Sequence, residues 1–121
     1  MKTFTDLEQS KKLTEILPLE RADMGYIPSA EDDDGNTLYT AEYKSEVIFD
    51  EDCIPCWSLA ALLDALPRIE HLKPSIDLNP KLDSNEVAIY YHSEDSPYIV
   101  RDNLIDAAFE MVMWLKENKK I

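Results

Sequence analysis

Cys53-Ile54-Pro55-Cys56 is the one segment of this sequence whose residue types and spacing match a familiar reaction centre. Two thiols two residues apart can cycle between dithiol and disulfide when a helix N-terminus lowers the pKa of one of them. The free N–H groups and the helix dipole there favour the thiolate. The pair follows an apolar run, Val47-Ile48-Phe49, and precedes a strong helical pattern, as a redox site of this type requires.

The surrounding residues argue the other way. Asp50, Glu51 and Asp52 stand directly before Cys53 and would raise its pKa. Trp57 follows the second cysteine, whereas a thioredoxin site carries its Trp before the first. Ser75-Ile76-Asp77-Leu78-Asn79-Pro80 echoes a thioredoxin segment, but the chain beyond it is too short for the extra helix and cis-proline loop of that fold. Small buried hydrophobes, or bystanders, at a helix entrance are the better reading of both cysteines. Thiol–disulfide exchange through Cys53 and Cys56 is the alternative.

Other chemistries fail sooner. Zinc needs four ligands, and Cys53, Cys56, His71 and His92 have the spacing of no compact finger. Glu31-Asp32-Asp33-Asp34-Gly35-Asn36 starts like a calcium loop, with Asp32, Asp34 and Asn36 at positions one, three and five. Position six is then Thr37 rather than Gly, and position twelve is Tyr43 rather than Glu. A solvated turn explains the segment better. No metal and no cofactor are expected. There is no G-x-S-x-G and no HExxH, and His92-Ser93 adjacency says little about a triad that assembles in space. An enzyme is not expected.

Charge is the dominant signal. Twelve Lys and Arg face 25 Asp and Glu among 121 residues, a formal net charge of −13. From Ala22 to Asp52 ten acids accompany one base, Lys44, so −9 of the total lies there. Such a chain repels phosphate backbones, which argues against direct nucleic-acid binding. The two glycines, Gly25 and Gly35, cannot write a phosphate-binding loop. No apolar run reaches the roughly 18 residues of a membrane span, and the N-terminus has no signal-peptide pattern. The expectation is a cytoplasmic protein with reduced thiols and no membrane association.

The elements that position these residues read as follows. Thr5-Asp6-Leu7-Glu8 has capping-box spacing, with Thr5 as cap, ahead of a helix bearing Leu7, Leu13, Ile16 and Leu17 and stopped by Pro18. A short second turn over Leu19 to Met24 is expected. Two or three strands follow between Tyr26 and Phe49, with a hairpin turn at Asp34-Gly35-Asn36. Leu59, Leu62, Leu63 and Leu66 give a helix ended by Pro67, which starts either at Pro55 or after Ser58 as cap. Ile76 and Leu78 alternate in a β-prone stretch, and Val87 to Tyr91 is the clearest strand. A last helix is capped by Asp102 or Asn103 and packs through Leu104, Ala108, Met111, Val112 and Leu115. The order predicts one α+β domain over residues 1–121, about three helices on a small, mostly antiparallel sheet.

Several segments together resemble a family of short acidic proteins from anaerobic gut bacteria, often associated with phage or mobile-element genes. They are Asp6 to Leu13, Ala22-Asp23-Met24, Trp57 to Leu63 with Leu66-Pro67, and Asp102-Asn103 with Asp106-Ala107-Ala108. The resemblance covers most of the chain, and Trp57-Ser58-Leu59-Ala60-Ala61-Leu62-Leu63 is its most specific part. The family has no assigned activity. It implies that the Trp57 helix is the shared feature and that the paired cysteines are a departure.

The expected function is a non-catalytic protein-binding module that presents acids to a basic partner protein. Its candidate contact residues are Glu31, Asp32, Asp33, Asp34, Asp50, Glu51 and Asp52. A phage setting makes a DNA-mimicking inhibitor one specific version of it. Association of copies through Trp57 or the aromatic strand Val87 to Tyr91 is a further expectation.

Overall fold

The computed structural model describes residues 2–46, 49–80 and 85–121. It shows the α+β class: three helices and two antiparallel three-stranded sheets. The described residues gather into two compact units, one over residues 4–61, the other over 62–121 with Lys2 and Thr3.

In the first unit, helix α1 (Leu7–Leu13) is capped one residue later than the spacing suggested. Asp6 Oδ1 accepts from the Gln9 N–H at 2.8 Å, and Gln9 Oε1 accepts from the Asp6 N–H at 3.1 Å. Thr5 is not the cap, because its hydroxyl is used elsewhere. Phe4 bridges Ser58, which turns Thr5 inward, fully buried. There its N–H donates to Trp57 C=O at 2.9 Å, and its Oγ1 accepts from the Trp57 N–H at 3.1 Å. The same hydroxyl lies 2.8 Å from Ser10 Oγ.

A short 3₁₀ turn over Leu19–Arg21 leads into β1 (Met24–Glu31), which pairs antiparallel with β2 (Thr37–Tyr43) and β3 (Ile54–Cys56). Strand order is β2-β1-β3. Gly25 is there for close approach: a Cβ on it would lie 2.2 Å from Phe49 Cε2. Phe49 itself is not in a strand, and the rest of the expected Val47-Ile48-Phe49 run lies outside the described residues. Ser58 Oγ accepts from the Ala61 N–H at 3.2 Å, so α2 (Leu59–Ala65) starts after Ser58 rather than at Pro55.

In the second unit, β4 (Ser75–Leu78), β5 (Val87–Tyr90) and β6 (Ile99–Arg101) form a sheet in that order, and α3 (Leu104–Glu117) packs on β5 and β6. Asn103 caps α3, its Oδ1 accepting from the Asp106 N–H at 2.9 Å. Ala108, Met111, Val112 and Leu115 are buried as the heptad spacing requires, whereas Leu104 is only half-buried. Two features escaped the sequence reading. One is β6, three residues long. The other is a tight turn between Ile69 and Leu72 in which Glu70 and His71 both have positive φ, 54° and 71°. Asn and Gly usually fill such positions. Among the described residues no helix is long and apolar enough to cross a membrane.

Candidate functional site

The acids of the sequence reading fall into two exposed groups on the first unit. Glu31, Asp32, Asp33 and Asp34 form the tip of the β1–β2 hairpin, and every residue from Pro28 to Leu38 is exposed. Asp32 builds the turn. Its Oδ1 accepts from the N–H groups of Asp34 at 2.9 Å and Asn36 at 2.8 Å, and its Oδ2 from Asn36 Nδ2 at 3.3 Å. The Asn36 amide and its companions hold the Asp32 carboxyl below its ordinary 3.8. Gly35 closes the turn at φ 82°, in the left-handed region. Asp32 therefore spends its acceptors on its own loop, which leaves Glu31, Asp33 and Asp34 as the outward charges.

Asp50, Glu51 and Asp52 are also exposed and make a turn leading to β3. Asp50 Oδ1 accepts from the Asp52 N–H at 2.9 Å and from Cys53 Sγ at 3.6 Å. Among the described residues no hydrogen bond joins this group to the tip; Ile54, which follows it, lies opposite Tyr26. None of the seven acids takes part in the ion pairs among the described residues. Lys44, the one base of the segment, places its Nζ on Leu19 C=O at 3.2 Å. The acids thus face water without an internal cation.

The cysteines are not at a helix entrance. Ile54, Pro55 and Cys56 are strand β3, extended against Tyr26, Gly25 and Met24. The Cα separation of residues 53 and 56 is set by the two strand residues between them. At about 3.3 Å per residue it approaches 10 Å, well beyond the roughly 7 Å limit of a disulfide. Both thiols are free. Cys56 is fully buried, and burial, with Asp23 adding repulsion, pushes its thiol from 9.0 up to about 12. Pro55 stands opposite Gly25, whose amide faces β2, so its missing N–H removes no ladder bond.

Around Cys56 lies a corner of fully used polar groups. Tyr26 OH donates to Thr5 C=O at 2.7 Å, and its own proton is held up to about 12, chiefly by burial. Asp23 receives both the Ser58 N–H at 2.9 Å and the Ser58 hydroxyl at 2.5 Å. One group is left over: Trp57 Nε1 is buried without an acceptor.

Two further arrangements emerge only from the fold. On the second unit, Ser75 Oγ and His92 Nε2 are 2.8 Å apart, and Tyr90 meets His92 edge-on and Tyr98 at a tilt, ring centroids 5.2 Å away in each case. Tyr98 OH donates to Asp77 at 2.5 Å, and that bond raises its pKa to about 12. Strand alternation at Ile76 and Leu78 hinted at this sheet, but its pairing was not legible. On the first unit, β2 is an edge strand seven residues long carrying Glu42. The alternation of Tyr39, Ala41 and Tyr43 was the signal for the strand; nothing in it marked the edge. The chain matches no protein-family model, no curated protein and no solved structure.

Proposed function

We propose that this chain is a non-catalytic protein-binding module whose acidic hairpin engages a basic surface on a partner protein. One observation carries the reading. Glu31, Asp33 and Asp34 are exposed on a turn that Asp32 and Gly35 fix through the turn's own backbone. Charges held in this way lose little conformational freedom on binding. Paired with no cation among the described residues, they project a field that speeds encounter with a cationic patch and disfavours anionic partners.

The test is capture on the immobilised chain, comparing the natural sequence with a variant in which Glu31→Gln, Asp33→Asn and Asp34→Asn are combined. Asp32 is left in place because it builds the turn. The expected partner is lost from the variant and released by about 1 M salt, where the Debye length shrinks to roughly 3 Å. A partner that binds both forms equally and survives that salt overturns the proposal.

A further inference from the structure

We infer that the open edge of β2 is a docking rail for an extended, basic segment of the partner, added as a further antiparallel or parallel strand. This rests on the acidic-module reading and names how the partner would be held.

The ladder shows which groups are available. Lys44 N–H donates to Asp23 C=O at 3.0 Å, and Asp32 N–H donates to Asn36 C=O at 2.9 Å. These two bonds fix the alternation of the antiparallel pair. Leu38, Thr40 and Glu42 turn their backbone groups toward β1, while Tyr39, Ala41 and Tyr43 turn theirs to the open side. The register stays regular along β2 because the irregularity between Pro28 and Ala30 places the extra residue, Ser29, on β1. Tyr43 C=O is taken by the Glu46 N–H at 3.1 Å. Among the described residues no strand lies beyond β2.

An edge of this length with β-prone residues is a template for another chain, and proteins usually blunt it with lysine, proline or a bulge on the edge strand. β2 has none of these within Thr37–Tyr43. Leu38 and Tyr43, each nearly half exposed, offer apolar contacts on opposite faces. The occupant is chosen by charge. A second copy carries −13 and the same acids, so pairing edge to edge brings like charges together. A lysine- or arginine-bearing strand meets Glu42 on β2 and Glu31, Asp33 and Asp34 at its end. Main-chain bonds would then supply affinity, and the acids the choice of partner.

The test uses a synthetic decapeptide of alternating lysine and valine, the natural chain, and an Ala41→Pro variant. The Ala41 amide faces outward, so proline there removes no internal ladder bond; a circular dichroism spectrum checks that the sheet persists. With peptide bound, amide exchange at Tyr39 and Ala41 in the natural chain is expected to slow at least tenfold, and Ala41→Pro to weaken binding at least tenfold. Exchange needs no variant, so it decides even if Ala41→Pro unfolds. Salt-sensitive binding that leaves Tyr39 and Ala41 exchange unchanged overturns the edge and spares the acidic module. Absence of binding at low salt overturns both. A natural chain that sediments as a dimer and becomes monomeric on Ala41→Pro assigns the edge to a second copy, and overturns the basic segment.

Discussion

The two ends of β1 do opposite work. Its inner end, Met24 to Tyr26, lies between two neighbouring strands, with Phe49 pressed on Gly25 and the Tyr26 hydroxyl bonded to Thr5. Its outer end, Pro28 to Glu31, has only β2 beside it and is exposed throughout. One end therefore sets stability and the other is free to carry charge. A strand anchored at one end lets the opposite end hold a repulsive cluster of acids without the core paying for it, since screened surface charges cost little.

If that division is right, substitutions at the inner end cost stability and those at the tip do not. The largest effect is expected from Trp57→Ala, which empties a fully buried site and should cost about 3–5 kcal/mol in denaturant unfolding. Trp57→Phe should cost much less, because it also removes a buried indole N–H that has no acceptor among the described residues. A Phe variant as damaging as the Ala variant would break this account of Trp57.

Next come Thr5→Val and Gly25→Ala. The valine leaves the buried Trp57 N–H without its acceptor, while the Ser10 hydroxyl keeps its bond to Asp6 C=O at 2.6 Å, a loss of about 1–3 kcal/mol. The alanine must move Phe49, an overpacking cost of about 1–3 kcal/mol. Unfolding midpoints equal to that of the natural chain would show that the inner end is not the anchor.

Titration separates the buried corner from the exposed turn. Cys56 holds its proton to about 12 when folded against 9.0 when free. The unfolded chain therefore releases a proton first, and this contribution to stability is full below pH 9 and lost as pH rises toward about 12. A thiol reagent at neutral pH should modify Cys53 readily and Cys56 only after unfolding; equal rates would contradict the buried corner. Asp32 works in the opposite sense. Its lowered folded pKa favours the native turn above 3.8, and that contribution fades as pH falls below it. Carboxyl chemical shifts through acid titration would read it, and an Asp32 that titrates at the ordinary 3.8 would mean the turn is not held.

The smallest effect belongs to Asp33→Asn with Asp34→Asn. Both side chains face water, so the unfolding midpoint should not move while salt-dependent capture of a basic partner falls. A change in stability larger than the change in capture would invert the assignment of the two ends.

Local chemistry was legible wherever a short stretch of chain settles the matter. The spacing of Leu59, Leu62, Leu63 and Leu66 locates α2, Gly35 marks the hairpin turn, and Asn103 is one of two caps read for α3. Where two neighbours could serve, the choice went to tertiary contacts. Asp6 replaced Thr5 as cap because the bridge from Phe4 to Ser58 turned Thr5 into the core. The turn at Glu70-His71 was illegible for a related reason. Neither residue favours positive φ, and it is the pairing of Ile69 with Leu72 that holds them there.

What the sequence determines by itself is the charge, the helix periodicity, the α+β class and the list of acids, because each depends on residue type and near spacing alone. What only tertiary structure decides is which of those residues meet. A three-residue segment such as Ile54-Pro55-Cys56 has no preference strong enough to choose between helix entrance and strand. The partner β1 makes the choice, and with it separates two thiols that the sequence had placed side by side. The same pairing leaves β2 at the edge with its outer amides unspent, a property of strand order that no stretch of residues encodes alone.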